Sequence, residues 1–243
     1  MRLFCLKKKF QNNMAKDKKD VAENSVESLE NALTKTERYI ENNQKSLTII
    51  VLAIIVVVGG YLGYKKLYLA PMEDKAQSQI FAAEQYFERD SFKLALNGDG
   101  NYLGLLDIID KYGPTKTANL ANYYAGVSYR ELGQYDLAIK HLKKFNAGDL
   151  LITPLAYGAI GDCYVELKNY KEGINFYEKA INYNSNDFTT PIFLKKCGIV
   201  YEELKDYKSA LKVYEEIKEK YPKSTEARDI DKDITRAKTI QNQ

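Results

Sequence analysis

Tryptophan is absent from the 243 residues, histidine occurs once and cysteine three times, and these scarcities exclude much chemistry. Cys5, Cys163 and Cys197 provide neither a disulfide framework nor a close metal-ligand spacing. A Cys163–Cys197 bond is conceivable in an oxidising compartment, but two buried thiols are the expectation. The sole histidine, His141, falls among Lys140, Lys143 and Lys144 and is expected at the surface. Without tryptophan, aromatic packing falls to 20 tyrosines and 9 phenylalanines. Walker loops, zinc spacings, nucleophile elbows and dinucleotide fingerprints do not occur. The expected catalytic, cofactor and metal residues are therefore none, and the chain is expected not to be an enzyme. Asn97-Gly98-Asp99-Gly100-Asn101 looks at first like a calcium loop. Such a loop needs glycine at 101 or 102 and an acid where Ile108 stands, so a glycine turn is expected.

Charge of one sign is lacking too: 36 basic residues meet 33 acidic ones, a net of +3. The basic surplus sits at the front, where the first 46 residues carry ten basic and seven acidic side chains. Beyond Lys66 the balance is 24 basic to 26 acidic. A nucleic-acid reader concentrates positive charge on its binding domain, so no nucleic acid is expected as a partner.

What is present is a long apolar run. Leu47 to Tyr64 holds no charge and contains eleven Leu, Ile or Val residues, fenced by Lys45 before and Lys65 and Lys66 after. As a helix it is roughly 27 Å long, close to a hydrocarbon core about 30 Å thick. A buried strand would not be this long. A cleaved signal peptide would start nearer the terminus and end in a small-x-small site. Leu47–Tyr64 is thus expected to cross a bilayer once, uncleaved, with Tyr61, Tyr64 and Tyr68 as an aromatic belt. The lysine-rich tail is expected in the cytoplasm and the C-terminal domain outside. Gly59 and Gly63, four apart, have the spacing of a close helix pair and of a homodimer, although ordinary tolerance of glycine in a span is the preferred account.

Residues 1–46 form the expected tail, with Met14 suggested as the natural start and Val26, Leu29, Leu33 and Ile40 spaced as an amphipathic helix. That helix is either a solvated stalk or a docking element for a cytoplasmic partner. Ala70-Pro71 breaks a helix or starts a new one. A helix is expected over 72–94, a second over 102–111, and together they make a degenerate first hairpin within the segment 65–117.

A repeat then emerges. Gly126, Gly161 and Gly198 are each followed by tyrosine at +3 (Tyr129, Tyr164, Tyr201) and +9 (Tyr135, Tyr170, Tyr207). A small residue follows at +12 (Ala138, Gly173, Ala210) and a large one at +16 (Leu142, Tyr177, Tyr214). Small residues let the two helices of a hairpin touch, and short loops at 133–134, 168–169 and 205–206 force antiparallel neighbours. The pattern resembles the tetratricopeptide repeat, in which hairpins stack because one cannot bury its apolar face alone. The expectation is an all-α chain: a transmembrane helix over 47–64, three tetratricopeptide units over 118–222, and a C-terminal capping helix within 223–243, started by Ser224, with Ile230 and Ile234 inward.

The order of tail, span and repeats resembles the YfgM-type ancillary subunits of the bacterial SecYEG translocon. The stretches LTKTERYIENNQKS, SFKLALNGDGNYLG, NLANYYAG and GDCYVELKNYKEGINFYEKA resemble single-span tetratricopeptide membrane proteins of the Bacteroidetes. The resemblance implies an inner-membrane protein whose periplasmic domain meets translocon components and periplasmic chaperones, and it carries over no individual functional residue. By repeat geometry the concave face should present Tyr123, Val127 and Arg130, then Gly158, Asp162 and Val165, then Lys195, Ile199 and Glu202. Either these side chains hold a partner or several of them merely pack. Val127 and Ile199 stand where carboxylate-clamping tetratricopeptide domains have asparagine, so an apolar or helical protein segment is the expected ligand.

Overall fold

A computed structural model describes residues 38–146 and 148–242, and its chain divides after Lys65 into two units. Met14, Cys5 and most of the expected amphipathic tail helix lie outside the described residues. The described part of the first unit is helix α1, residues 38–63, and its apolar side chains from Ile49 to Leu62 are exposed. Among the described residues one continuous helical stretch, Arg38–Glu88, is long and apolar enough to cross a membrane, and the π-helical segment Tyr64–Leu69 lies inside it. Ala70-Pro71 does not interrupt it. Pro71 stands in the first turn of α2, where a missing N–H costs no hydrogen bond. A side chain added at Gly59 or Gly63 would meet nothing within 4 Å.

The second unit is a stack of helical hairpins with no strand among its described residues. Its helices are α2 (Ala70–Glu88), α3 (Phe92–Asn97), α4 (Leu105–Lys111), α5 (Lys116–Glu131), α6 (Tyr135–Leu142), α7 (Ile152–Glu166), α8 (Tyr170–Tyr183), α9 (Thr190–Glu203), α10 (Tyr207–Lys220) and α11 (Ile230–Gln241). Each of α5/α6, α7/α8 and α9/α10 is one hairpin, and apolar clusters run through and between them.

One turn closes every hairpin. In the first, Gly133 N–H donates to Arg130 C=O (2.9 Å) and Gln134 N–H to Tyr129 C=O (2.8 Å), the paired bonds of a Schellman motif. The same pair recurs at Lys168/Asn169 and Lys205/Asp206. The left-handed residue in these turns is Gly133 (φ 73°), then Lys168 (φ 60°) and Lys205 (φ 60°). Asn169 and Asp206 then cap the following helix through their side chains, whereas Gln134 does not.

The expected helices at 72–94 and 102–111 differ from what is found. The first is broken at Asp90 (φ 56°), where Asp90 N–H donates to Phe87 C=O (3.0 Å) and Ser91 N–H to Tyr86 C=O (2.8 Å). This is the Schellman turn again, so α2 pairs with α3 as the first hairpin. The second begins three residues late, at Leu105, because Asp99 Oδ1 accepts from the N–H groups of Asn101 and Tyr102 and holds that stretch as a turn. Tyr86 donates to Asp99 Oδ2 (2.9 Å), which ties the turn to α2. Helix α4 is an addition that packs on α2, α3 and α5.

The repeat's small residues are contact points. A Cβ on Gly126 would lie 2.5 Å from Leu142 Cγ, and one on Gly161 2.5 Å from Tyr177 Cε1. One on Gly198 would overlap the ring of Tyr214. At the far end Ser224 Oγ accepts from Ala227 N–H (3.2 Å) and opens a short 3-10 turn, Glu226–Asp229, before α11. Ile230 and Ile234 of α11 are buried against α10, so α11 closes the stack.

Candidate interaction groove

The first helices of successive hairpins, α5, α7 and α9, stand side by side with α11 after them, and a ladder of charges joins them. Arg130 of α5 donates from Nη1 to Asp162 Oδ2 of α7 (3.2 Å). Lys196 of α9 reaches the same carboxylate, with Nζ 2.6 Å from Oδ1 and 2.8 Å from Oδ2. The Tyr177 hydroxyl of α8 donates to Asp162 Oδ1 (2.8 Å). Asp162 thus accepts from three neighbouring helices. Farther along, Lys195 pairs with Asp233 of α11 (3.4 Å), and Arg236 of α11 grips both oxygens of Glu202 (3.0 and 3.1 Å).

These pairs are half-buried, which sets their electrostatics. Burial opposes the charge of Arg130, but the Glu131 and Asp162 carboxylates outweigh it and hold the guanidinium above its ordinary pKa. Burial, then the charge of Asp162 and the hydrogen bond to it, push the Tyr177 phenol upward, so it stays a donor. Cys163 and Cys197 are free and buried, and burial lifts both thiols to about 12. At neutral pH neither is a nucleophile.

Of the nine residues expected on the groove, Arg130, Asp162, Lys195 and Glu202 join the ladder, and Arg130 and Asp162 touch directly. Ile199 is exposed (48 %) on α9. Tyr123 and Val127 pack against the core cluster built around Ala138 and Ile160, with the Tyr123 ring 5.3 Å from Phe145. Val165 packs beside Gly173 in the cluster of Ile174 and Tyr177, so it serves the hairpin interior. Gly158 is buried under the ring of Phe193. Lys196, Tyr177, Asp233 and Arg236 complete the ladder without being among the residues expected from the sequence. For Lys196, Arg236 and Asp233 the signal is the repeat length, since they lie 34, 34 and 38 residues from their partners, one repeat from helix to helix, whereas Tyr177 reaches Asp162 from 15 residues away within its own hairpin.

His141 is not at the surface. It is buried in α6, where its Nδ1 lies 3.1 Å from Asn122 Oδ1 and its ring stacks on Tyr129 at 5.4 Å. Asn122 Nδ2 already donates to Ala118 C=O, so its oxygen is the acceptor and the imidazole Nδ1 carries the proton. Burial, then Lys144 and Lys140, push its pKa below the ordinary value and keep the ring neutral. Among the described residues, no three His, Cys, Asp or Glu side chains gather as a metal site.

Tetratricopeptide-repeat family models match residues 120–147, 155–187 and 196–224, the three hairpins just described. In fold the chain is similar to nearly identical TPR-like repeats from Podosopora anserina, described as a kinesin light chain. Two crystal structures of those repeats, one of them of a single-substitution variant, each give a TM-score of 0.54 at 11 % identity, covering 69 % of this chain and 87 % of that one. Two crystal structures of MamA give TM-scores of 0.47 and 0.49 at 20 % and 18 % identity, covering 66 % and 69 % of this chain and 94 % and 88 % of theirs. Among curated proteins none matches the chain in sequence.

Proposed function

We infer, for a chain that carries tetratricopeptide repeats and hence the architecture of a protein-binding scaffold, that it works at a membrane by holding a protein partner and not by transforming a substrate. The observation that carries this reading is the groove. Its charged groups are paired to one another across α5, α7, α9 and α11, and an exposed Ile199 stands among them. A surface of this kind suits an apolar or helical protein segment better than a free carboxylate, which would have to displace Asp162 from Arg130 and Lys196.

Anchoring is supported by the run 47–64, whose large side chains from Ile49 to Tyr64 are exposed instead of contributing to any core cluster. The lysine-rich flank favours a cytoplasmic N-terminus and a periplasmic solenoid on the inner membrane. There the resemblance to YfgM-type proteins makes the Sec translocon or a periplasmic chaperone the partner of choice. Crosslinking in native membranes is the test: capture of translocon subunits or emerging chains supports this role. A reporter fused after Gln243 that works only in the cytosol would reverse the orientation.

A second reading is a structural envelope adaptor that bridges another membrane complex without touching secreted clients. The self-paired ladder favours it, because few charged groups remain free to grip a client. A well-labelled crosslinked sample containing another complex and no translocon subunit would establish it.

A further inference from the structure

The hairpin stack has two unlike edges. At one edge lie the tight turns at 132–134, 167–169 and 204–206. At the other, where α2, α5, α7 and α9 begin, longer loops are laced together by hydrogen bonds between neighbours. Glu73 of α2 accepts from the backbone N–H groups of Lys116 and Thr117 at the start of α5 (2.6 and 3.2 Å). Asn119 and Asn146 exchange two hydrogen bonds (3.1 and 2.9 Å). Asn184 donates to Leu150 C=O (3.1 Å), and the Ser185 and Tyr221 hydroxyls lie 2.9 Å apart. These bonds hold four successive loops in one row.

On that row the polar groups face one another and large apolar side chains face out. Phe188 is 78 % exposed, Leu150 61 % and Leu151 51 %. Lys223 and Asp187 flank Phe188 at the rim of a shallow cleft. None of these apolar residues belongs to a core cluster, although the loops that carry them are well bonded. Only residues 65–69 separate the apolar run from α2, and α2 begins at this same edge. Leu67, in that short link, is 81 % exposed. The link therefore joins α2 at the loop edge and not at the tight-turn edge.

We propose that this loop edge is a lipid-contact surface, with Phe188, Leu150 and Leu151 seated in the interface of the bilayer that holds residues 47–64. The proposal rests on the anchoring inferred above. An aromatic ring and leucines beside lysine form the usual interfacial set: the rings enter the headgroup boundary while the amine stays in water.

The absence of tryptophan makes the test direct. Single-tryptophan variants of the full chain, Phe188→Trp, Leu150→Trp, Leu204→Trp and Val56→Trp, are reconstituted in bilayers of phosphatidylcholine and phosphatidylglycerol, with the phosphatidylcholine acyl chains brominated or not. Circular dichroism checks that each retains its helix content. Phe188→Trp and Leu150→Trp should lose about half of their emission in brominated lipid, as befits rings about 5–10 Å into the boundary. Leu204→Trp, on the tight-turn edge, should lose none, and Val56→Trp should be quenched most. Quenching of Val56→Trp without quenching at 188 and 150, or equal quenching at 204, overturns the lipid contact and leaves the anchor intact. A blue-shifted but unquenched emission at 188 overturns it too, because protein, such as a second copy, then covers the rim. An unquenched Val56→Trp removes the anchor and the contact together.

Discussion

Gly198 in α9 packs against the ring of Tyr214 in α10, sixteen residues downstream, and the two earlier hairpins repeat the contact as Gly126 on Leu142 and Gly161 on Tyr177. The aligned glycines and the large residues at +16 are thus two halves of one joint. The joint fixes how closely the helices of a hairpin approach, and so the pitch at which the first helices line the groove.

The partner atoms decide what an added methyl costs at each joint. Tyr214 is fully buried and its ring is rigid, so Gly198→Ala should overpack the hairpin and destabilise the chain by about 1–3 kcal/mol. At Gly126 the nearest obstacles are Cγ and Cδ2 of Leu142 and, at 3.1 Å, the Ala138 carbonyl oxygen; a leucine has more rotamers to yield with than a tyrosine ring, and alanine gains about 1 kcal/mol of helix propensity over glycine. Gly126→Ala should therefore cost clearly less than Gly198→Ala. Denaturant unfolding of the two variants gives the order, and equal losses would refute the joint as drawn.

The turns offer gains. Lys168 and Lys205 occupy the left-handed position that Gly133 fills in the preceding hairpin. A side chain there costs roughly 1–2 kcal/mol, partly offset by the greater freedom of glycine when unfolded. Lys168→Gly and Lys205→Gly should each stabilise by about 0.5–1 kcal/mol. Gln134 sits where Asn169 and Asp206 cap the next helix, and makes no such bond. Gln134→Asp should add about 0.5–1 kcal/mol. A thermal melt of the triple variant checks the sum, since the sites are well separated.

Some of this architecture is legible in the sequence, and the rest is concealed for identifiable reasons. Glycine and tyrosine at fixed offsets expose three hairpins because the joint demands them. The true first hairpin, α2 with α3, is masked because Ala83 replaces the glycine and Asp90 the turn residue. The offsets survive nonetheless, as Tyr86 at +3, Phe92 at +9 and Ala95 at +12. Lysine neighbours suggest an exposed His141, yet it stands three residues after buried Ala138 and one before buried Leu142, on the inward stripe. The ladder is half legible. Arg130, Asp162, Lys195 and Glu202 can be placed on the face, but the part played by Lys196, Asp233 and Arg236 depends on how far successive first helices shift along their axes, which a single repeat does not encode.

Buried His141 predicts a dependence on pH. Its folded pKa lies below the ordinary 6.5, pushed down by burial and by Lys144 and Lys140. The unfolded chain therefore binds a proton at mildly acidic pH that the folded chain does not. The stability tied to the neutral ring is complete above about pH 6.5 and is lost as pH falls from there through the folded value, by at most about 1.4 kcal/mol per pH unit. Chemical denaturation at pH 7.5 and 5.5 should show this slope in the native chain and a flatter one in His141→Gln. The variant should also be less stable at pH 7.5, having lost the stack on Tyr129.

Asp162 is where the groove and the fold depend on the same atoms. Its carboxylate takes Arg130, Lys196 and Tyr177 from three helices. Removing it leaves two cations side by side, with the phenol's donor unanswered. Because Arg130 and Lys196 keep about a third of their side chains in water, the loss is smaller than for a deep ion pair. Asp162→Asn should cost about 1–2 kcal/mol, the lower part of the range for leaving charged donors without their acceptor. Lys196→Met, which leaves Arg130 to balance Asp162, should cost less. Partner capture separates the fold from the groove. If the ladder only aligns the first helices, Lys196→Met should retain crosslinking to the partner, and Asp162→Asn should lose it in proportion to its loss of folded chain. If the charges themselves touch the partner, Lys196→Met should lose capture well beyond its small loss of folded chain, and the paired-charge account of the groove falls.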